Sequence, residues 1–299
     1  MTKIKKKNSS STKTRFSPLT VILLIFLILY VVVLVGLLLW AFMTSFKSQT
    51  EFRLNIVGLP KEWVWNYSFV FQMFTVPVST PQGTVDIGMD LQFLYSVLYS
   101  VGCAFAATIT PCITAYLCAR FPYKFGKVIY TVVIVTMVIP IVGNLPSEIQ
   151  VARIFGLYDQ IWGLWIMKAN FLGMYFLVFY SVFKGIPKEY AEAAKVDGAG
   201  NFSILFRIML PMVRNTFFVV MLIKFIEFWN DYQTPLIYLK SYPTIAYGVF
   251  YMANSRENGL STVPMRMTSA MLAFIPVFVL FMVFQKKLVG NLTVGGIKG

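Results

Sequence analysis

The sequence contains no histidine. Histidine is the commonest general base and the commonest zinc ligand, and its absence also excludes Ser-His and Cys-His nucleophile pairs. A phosphate-binding loop of the form Gly-x-x-x-x-Gly-Lys-Ser/Thr is missing as well. The chain is therefore not expected to be an enzyme, which disfavours a polytopic membrane enzyme, and no cofactor or metal is expected to bind it.

Charged residues are also scarce. They make up 13% of the 299 residues, against about 25% in soluble domains, whereas 58% are hydrophobic. A membrane-spanning helix needs about 20 mostly apolar residues. Six segments qualify and predict an all-α polytopic membrane protein with six transmembrane helices: 19–42, 92–119, 128–147, 160–183, 215–239 and 267–285.

The first of these segments is uncharged from Phe16 to Phe46, which is too long for a secretory signal, and we expect it to stay as an anchor. Cysteines are few, and all of them fall in the second span. They are expected to pack as small apolar residues, not to form disulfides or a metal site: Cys103, Cys112 and Cys118.

Acidic residues are fewer than basic ones, 12 against 26, and the net charge is +14. The basic tail 1–15 and the segments 120–127, 184–214 and 286–299 carry 17 lysines and arginines, against 7 in the segments on the other side of the membrane. Because cytoplasmic segments are enriched in lysine and arginine, both termini are predicted to be cytoplasmic. Topology thus explains the charge, so the tail is expected to contact anionic lipid and nucleic-acid binding is not expected.

The segment between the fourth and fifth spans has its own helical pattern. Pro187 precedes an alanine-rich run with Glu189 and Glu192, which is typical of a helix start, and Gly198 is a natural stop. Asn201 is a candidate cap for a second short helix, which Pro211 is expected to end.

The second helix would place apolar side chains on one face: Phe202, Leu205, Phe206 and Met209. An amphipathic pair of this kind can lie on a membrane surface or dock into a groove of a partner protein. Spacing alone leaves both interpretations open.

The residues of this segment form a longer pattern: Glu192-Ala193-Ala194, Asp197-Gly198-Ala199, Phe202, Ile208 and Leu210-Pro211. This pattern resembles the EAA loop of binding-protein-dependent ABC importer permeases. Three further segments are similar to the carbohydrate branch, which includes the second permease of maltose-type systems: Ile186-Pro187-Lys188-Glu189, Trp229-Asn230-Asp231 and the ending Thr293-Val294-Gly295-Gly296-Ile297-Lys298-Gly299.

The resemblance implies the type I ABC importer permease architecture in a bacterial inner or plasma membrane. The chain would form half of a translocation path for a carbohydrate, with an oligosaccharide as the expected solute. The implied partners are a second homologous permease, two ATPase subunits that bind ATP and Mg, and an extracytoplasmic solute-binding protein. That protein would meet the long outer segment 47–90, which we expect to fold over the outer mouth.

The resemblance also assigns residues. Those that would couple to the ATPase are Glu189, Glu192, Ala193, Ala194, Asp197, Gly198, Ala199, Phe202, Leu210 and Pro211. The tail residues Gly295, Gly296, Lys298 and Gly299 would contact the ATPase pair. Without the resemblance, a glycine-rich end is more simply read as a frayed terminus.

Charges inside the fifth span indicate a candidate path. Lys224, Glu227 and Asp231 share one helical face, where Lys224 and Glu227 can pair and Asp231 can extend the cluster. Trp229 and Asn230 add groups suited to sugars. A structural ion pair is the alternative for these residues, and an ion-coupled secondary transporter that uses the three charged residues is the alternative function.

Overall fold

The computed structural model describes residues 17–121, 123–139, 143–254 and 261–292, with side chains to Gln285. The N-terminal half begins with helices α1 Pro18–Thr44, α2 Gln49–Leu54 and α3 Asn66–Met73 and the antiparallel strands β1 Val76–Thr80 and β2 Gly83–Ile87. Next come α4 Met89–Arg120, α5 Lys124–Val138, α6 Leu145–Ile154, α7 Ile161–Met167 and α8 Met174–Gly185. The rest comprises α9 Glu189–Val196, α10 Asn201–Ile204, a π-helical turn Leu205–Met209, α11 Leu210–Asn230, α12 Gln233–Tyr238, α13 Ile245–Asn254 and α14 Val263–Leu292.

Helix α4 is the centre of the bundle. It packs against α7, α8 and α11, and the last helix α14 packs against α1, α3, α11 and α13. Two of the three cysteines lie inside this packing: Cys103 and Cys112 are fully buried, Cys118 is half-buried, and all three are free thiols. Their predicted role as small packing residues is confirmed.

Four helices of the described residues are long and apolar enough to cross a membrane: Pro18–Thr44, Met89–Arg120, Asn201–Asn230 and Val263–Gln285. The all-α polytopic class follows from them, and the count of six spans stays a prediction. Differences arise at the predicted third and fourth spans. Helix α5 ends at Val138, well before residue 147, and the fourth segment is divided into α7 and α8.

The division of the fourth segment has a local cause. Helix α7 ends at Met167 with Lys168 as its C-cap residue, and the Asn170 Oδ1 accepts the Leu172 N–H at 2.8 Å. Gly173 then adopts a positive φ of 119°, which interrupts the helical backbone just before α8. The two polar residues and the glycine thus replace one predicted span by two short helices.

The predicted fifth span, 215–239, is displaced towards the N-terminus. The helix runs without interruption from Asn201 to Asn230, and Pro211 does not end it. The preceding π-helical turn explains this, because its wider loop bonds the N–H of Leu210 to the carbonyl of Leu205 and accommodates a proline that lacks an N–H. Asn201 is the first helical residue, and its side chain makes no cap; Gly200 holds the cap position.

The segment after α1, within residues 47–90, is tied to the bundle by buried polar groups. The Asn66 amide donates to the Ser45 and Lys47 carbonyls at 2.8 and 2.9 Å, and the Thr268 hydroxyl donates to the Ser45 carbonyl at 3.1 Å. Lys47 is fully buried, and its ammonium donates to the Asn55 carbonyl at 2.7 Å. These bonds join α1, α3 and α14 at one end of α1, whose other described residues are largely exposed.

A close approach at Gly102 in α4 gives the first prediction. A Cβ at this position would overlap Nε1 of Trp165, which donates to the Leu98 carbonyl at 3.0 Å. Gly102→Ala is expected to displace the indole and to lower the free energy of unfolding by about 1–3 kcal/mol, as overpacking does. Thermal unfolding in detergent measures the loss.

The control for Gly102→Ala is Gly36→Ala in α1, where a Cβ meets nothing within 4 Å. This control is expected to keep or slightly raise the stability, since alanine favours a helix by about 0.5–1 kcal/mol over glycine. Equal unfolding temperatures for the two variants would contradict the packing that joins α7 to α4.

Candidate functional site

The first candidate site is the pair of helices on either side of Gly198, which we call the coupling element (residues 189–211). Helix α9 ends at Val196, and Gly198 takes a φ of +81°. The N–H of Gly198 donates to the Lys195 carbonyl, and that of Ala199 donates to the Ala194 carbonyl at 2.8 Å. The predicted helix start and glycine stop are confirmed.

One face of α9 is buried and the other is open. Ala194 is 8% exposed and belongs to an apolar core with Tyr116 of α4 and Phe183 of α8. The opposite face presents the remaining predicted residues to solvent: Glu189, Glu192, Ala193 and Asp197, with Ala199 half-buried. The alanines therefore have different roles, because Ala194 fixes the helix to the bundle and Ala193 lies on the open face.

The helix after Gly200 does not have the single apolar face that its spacing predicted. Leu205 and Met209 are buried in the same core as Ala194, but Phe202 is 80% exposed and Phe206 is also exposed. The π-helical turn changes the spacing between Leu205 and Met209. Phe202 precedes the turn, and its ring is exposed although Leu205, three residues later, is buried. Phe202, Phe206 and Pro211 are thus exposed, and Leu210 is half-buried.

A direct bond ties the coupling element to the centre of the bundle. The guanidinium of Arg120, the last residue of α4, donates to the Ile186 carbonyl at 2.7 Å, just ahead of α9. Arg120, Lys188, Glu192 and Lys195 line a small cavity of about 160 Å³ beside the helix. Displacement of α9 would therefore be transmitted to α4 through both the bond and the shared core.

The second candidate site is a cavity of about 700 Å³, which we call the central cavity. Its wall comes from the middle of α4, the start of α6, the α7–α8 break, and α11. Lys224 and Glu227 line it, and their side chains form an ion pair with Nζ and Oε2 2.8 Å apart. The predicted pairing of these two residues is confirmed. The volume of the central cavity is in the range of small-molecule sites, about 300–1,000 Å³.

The other three residues of the candidate path lie outside the described wall of this cavity. Asp231 accepts the Tyr99 hydroxyl on Oδ2 at 3.1 Å and the N–H groups of Gln233 and Thr234 on Oδ1. The indole of Trp229 is buried and donates to the Ala273 carbonyl at 3.1 Å, and the exposed Asn230 donates to the Ile226 carbonyl of its own helix. Asp231 thus joins helices and does not extend the Lys224–Glu227 pair.

Sequence reasoning missed several polar residues of the central cavity: Asn144, Ser147, Glu148, Lys168, Asn170 and Tyr238. The Glu148 carboxylate accepts from the Asn144 amide and, at 3.2 Å, from the Tyr238 hydroxyl. Lys168 was visible as a charge within an apolar segment, which is a usual sign of a cavity or pathway. Glu148 gave no such signal, because it lies at the end of a predicted span.

Comparison with known proteins decides the family. The family described as binding-protein-dependent transport system inner membrane component matches residues 107–294, more than half of the chain. The chain belongs to this family. It is thus an ABC importer permease, a multi-pass membrane transport subunit and not an enzyme, and the family as a whole works with an ATPase and a solute-binding protein.

Individual relatives agree with this assignment. The permease is 27% identical over 294 residues to a diacetylchitobiose uptake system permease protein of Streptomyces coelicolor, covering 96% of this chain and 91% of the relative. It is also 27% identical over 262 residues to a melibiose/raffinose/stachyose import permease protein of Bacillus subtilis, covering 86% and 88% of the two chains.

A solved structure has the same fold. It is the crystal structure of a bacterial ABC transporter involved in the import of the acidic polysaccharide alginate, and one of its chains is similar with a TM-score of 0.74 at 19% identity. The similarity covers 92% of the permease and 99% of that chain. The predicted tail contacts Gly295, Gly296, Lys298 and Gly299 lie outside the described residues.

Proposed function

We propose that the permease forms half of the translocation path of an ATP-driven carbohydrate importer, with an oligosaccharide as the solute. The two similar permeases described above are named for the import of sugars. The central cavity also has the size and the mixed polar and aromatic wall that a sugar requires. The proposed partners are a second homologous permease, two ATPase subunits that bind ATP and Mg, and a solute-binding protein at the outer segment 47–90.

The observation that carries this proposal is the construction of the coupling element. Its open face presents the carboxylates of Glu189 and Glu192 and the exposed ring of Phe202. Exposed apolar groups beside polar ones are typical of a surface that binds a protein partner. Its inner face is held in the core by Ala194 and Met209. A partner that moves this face would move α4, α8 and α11 with it as rigid bodies.

The orientation follows from the same proposal. A coupling element that meets an ATPase must face the cytoplasm, which agrees with the excess of basic residues in segments 1–15, 120–127, 184–214 and 286–299. Both termini are therefore proposed to be cytoplasmic, and the basic tail 1–15 to contact anionic lipid.

Transport by the complete complex tests the proposal. The permease, its partner permease, the ATPase pair and the solute-binding protein are reconstituted in vesicles and offered labelled raffinose, maltotriose and diacetylchitobiose, with a peptide and an amino acid as controls. Uptake of an oligosaccharide that requires ATP is the expected result. Uptake driven by an ion gradient without the ATPase would instead support a secondary transporter, and uptake of the peptide alone would contradict the carbohydrate assignment.

Reversal of the charge at Glu192 tests the docking face. Glu192 borders a cavity with three basic side chains, so Glu192→Lys adds a fourth cation there and removes an acid from the first turn of α9. We expect the ATPase subunits to co-purify about tenfold less well, a loss of about 1.4 kcal/mol in binding.

The control for Glu192→Lys is Glu62→Lys, an equal charge change at an exposed residue of the outer segment. This variant is expected to retain the ATPase. If both variants retain it equally, the open face of α9 is not the docking surface.

A further inference from the structure

The charged groups of the central cavity differ in whether they have an ion-pair or hydrogen-bond partner. Lys224 is neutralised by Glu227 at 2.8 Å, and both oxygens of Glu148 accept hydrogen bonds from Asn144 and Tyr238. Lys168 is different. Among the residues that the structure describes, no carboxylate lies within 4.0 Å of its ammonium, and its Nζ is 6.0 Å from the centroid of the Phe228 ring.

The position of Lys168 in the fold is also unusual. It is the C-cap residue of α7, at the start of the α7–α8 break, whose non-helical residues continue to Gly173 and partly line the cavity. Non-helical backbone at membrane depth is tolerated where it lines a water-filled cavity or is buried in protein. A lysine at such a break can therefore keep its charge only by contact with water or with a ligand.

Aromatic faces surround the two ammonium groups. Phe228 is near both, since its ring centroid is 6.0 Å from Nζ of Lys168 and 5.9 Å from Nζ of Lys224. Nζ of Lys224 is also 5.0 Å from the Tyr175 ring centroid. The cavity thus offers ring faces for a sugar and one ammonium whose three donors have no hydrogen-bond partner in the described part of the chain. Its free hydrogen-bonding capacity favours a ligand that brings acceptors, and most strongly a ligand that brings a negative charge.

We propose that Lys168 is a specificity-determining residue that binds the carboxylate of an acidic sugar unit during its passage through the central cavity. This inference rests on the proposed carbohydrate function and narrows it to oligosaccharides that contain a uronic acid. The Lys168 ammonium would pair with the carboxylate, whereas Lys224 is already paired with Glu227 and Glu148 already accepts hydrogen bonds from Asn144 and Tyr238.

A structural role for Lys168 is the competing explanation. A lysine at a helix end can stabilise the terminal carbonyl groups, and the cation–π contact with Phe228 adds to this. Loss of such a role would weaken transport of every solute alike. Loss of a carboxylate contact would weaken transport of acidic solutes only, so matched acidic and neutral probes separate the two roles.

The test uses pairs of probes of equal shape. Digalacturonate, dimannuronate and a chondroitin disaccharide are each compared with their methyl esters, in the complete complex in vesicles with ATP. Lys168→Gln keeps a donor but removes the charge, Lys168→Arg keeps the charge, and Lys240→Gln changes an exposed lysine outside the cavity. The same solute-binding protein serves every variant, so its own preference cancels in the ratios between variants.

The wild-type complex is expected to import at least one acidic probe. Lys168→Gln is expected to lower that rate about tenfold and the rate of the matching ester less than about twofold, because charge-assisted hydrogen bonds are roughly twice as strong as neutral ones. Lys168→Arg and Lys240→Gln are expected to stay near the wild type. The effect on the acidic probe is also expected to shrink at high salt.

Three results would overturn the inference. An equal loss for acid and ester would show that Lys168 is structural, and import of raffinose but of no acidic probe would show that the solute is neutral while the proposed function stands. If the wild-type complex imports no carbohydrate of any kind, the proposed function itself fails and the inference fails with it.

Discussion

Gly198→Val is expected to abolish the stimulation of ATP hydrolysis by solute and binding protein. Gly198 has a φ of +81°, a region in which a β-branched residue is a clear outlier. A Cβ at this position meets nothing within 4 Å, so the penalty is conformational and not steric. A valine held in this left-handed conformation destabilises the turn between α9 and the helix Asn201–Asn230 by about 1–3 kcal/mol.

This strain matters because the turn sets the angle between the two halves of the coupling element. The bonds from the Gly198 and Ala199 N–H groups to the end of α9 depend on the positive φ. When the turn relaxes to an ordinary φ, Ala194 of α9 loses its packing against the core, and α9 can no longer move α4 and α8. We expect basal ATP hydrolysis to persist and the stimulated rate to fall by about tenfold or more, as a strain above 1.4 kcal/mol allows.

Gly200→Val is a closely matched control, two residues away. Gly200 also has open space at its Cβ, but its φ of −69° and ψ of 160° are extended values that valine adopts without strain. This variant is expected to keep most of the stimulation. If both glycines tolerate valine, or if both variants lose stimulation to the same extent, the positive φ of Gly198 is not what couples the element to the bundle.

Asp231→Ala is expected to lower the free energy of unfolding by about 2–4 kcal/mol. Two losses contribute, because a buried hydroxyl is left unpaired and the N–H groups at the start of a helix lose their acceptor. Tyr99 is 1% exposed, and its hydroxyl donates to Asp231, which also accepts the two N–H groups at the start of α12. One carboxylate thus joins α4, α11 and α12. Thermal unfolding of the purified permease measures the change.

A double-mutant cycle identifies the partner of Asp231. Tyr99→Phe removes the hydroxyl that Asp231→Ala would leave unpaired, so the double variant is expected to lose less stability than the sum of the two single variants. Asn230→Ala, at the exposed neighbouring residue, is expected to change stability by less than about 0.5 kcal/mol. If Asp231→Ala leaves stability unchanged but stops transport, Asp231 acts on the solute path after all.

The outcome at Asp231 shows how far helical spacing can be used. Lys224, Glu227 and Asp231 share one face by their spacing of three and four, and the first two do pair. The helix ends at Asn230, however, so Asp231 leaves that face and binds Tyr99, which is 132 residues away in sequence. Spacing predicts neighbours within a helix, but neither the end of a helix nor the partners that lie across the fold.

Much of this permease was determined by the sequence itself. Hydrophobic length and low charge gave the polytopic helical class, because a membrane interior admits few other structures. The alanine-rich run and Gly198 gave the coupling element, since a helix start and a left-handed stop depend on a few adjacent residues. The tertiary structure alone decided three other features. Leu205 and Met209 enter the core while Phe202 stays exposed, Lys168 and Gly173 line one cavity together with residues of α4, α6 and α11, and the Tyr238 hydroxyl reaches Glu148 from 90 residues away in sequence. These features depend on contacts between segments far apart in the chain, and no local pattern of residues records such contacts.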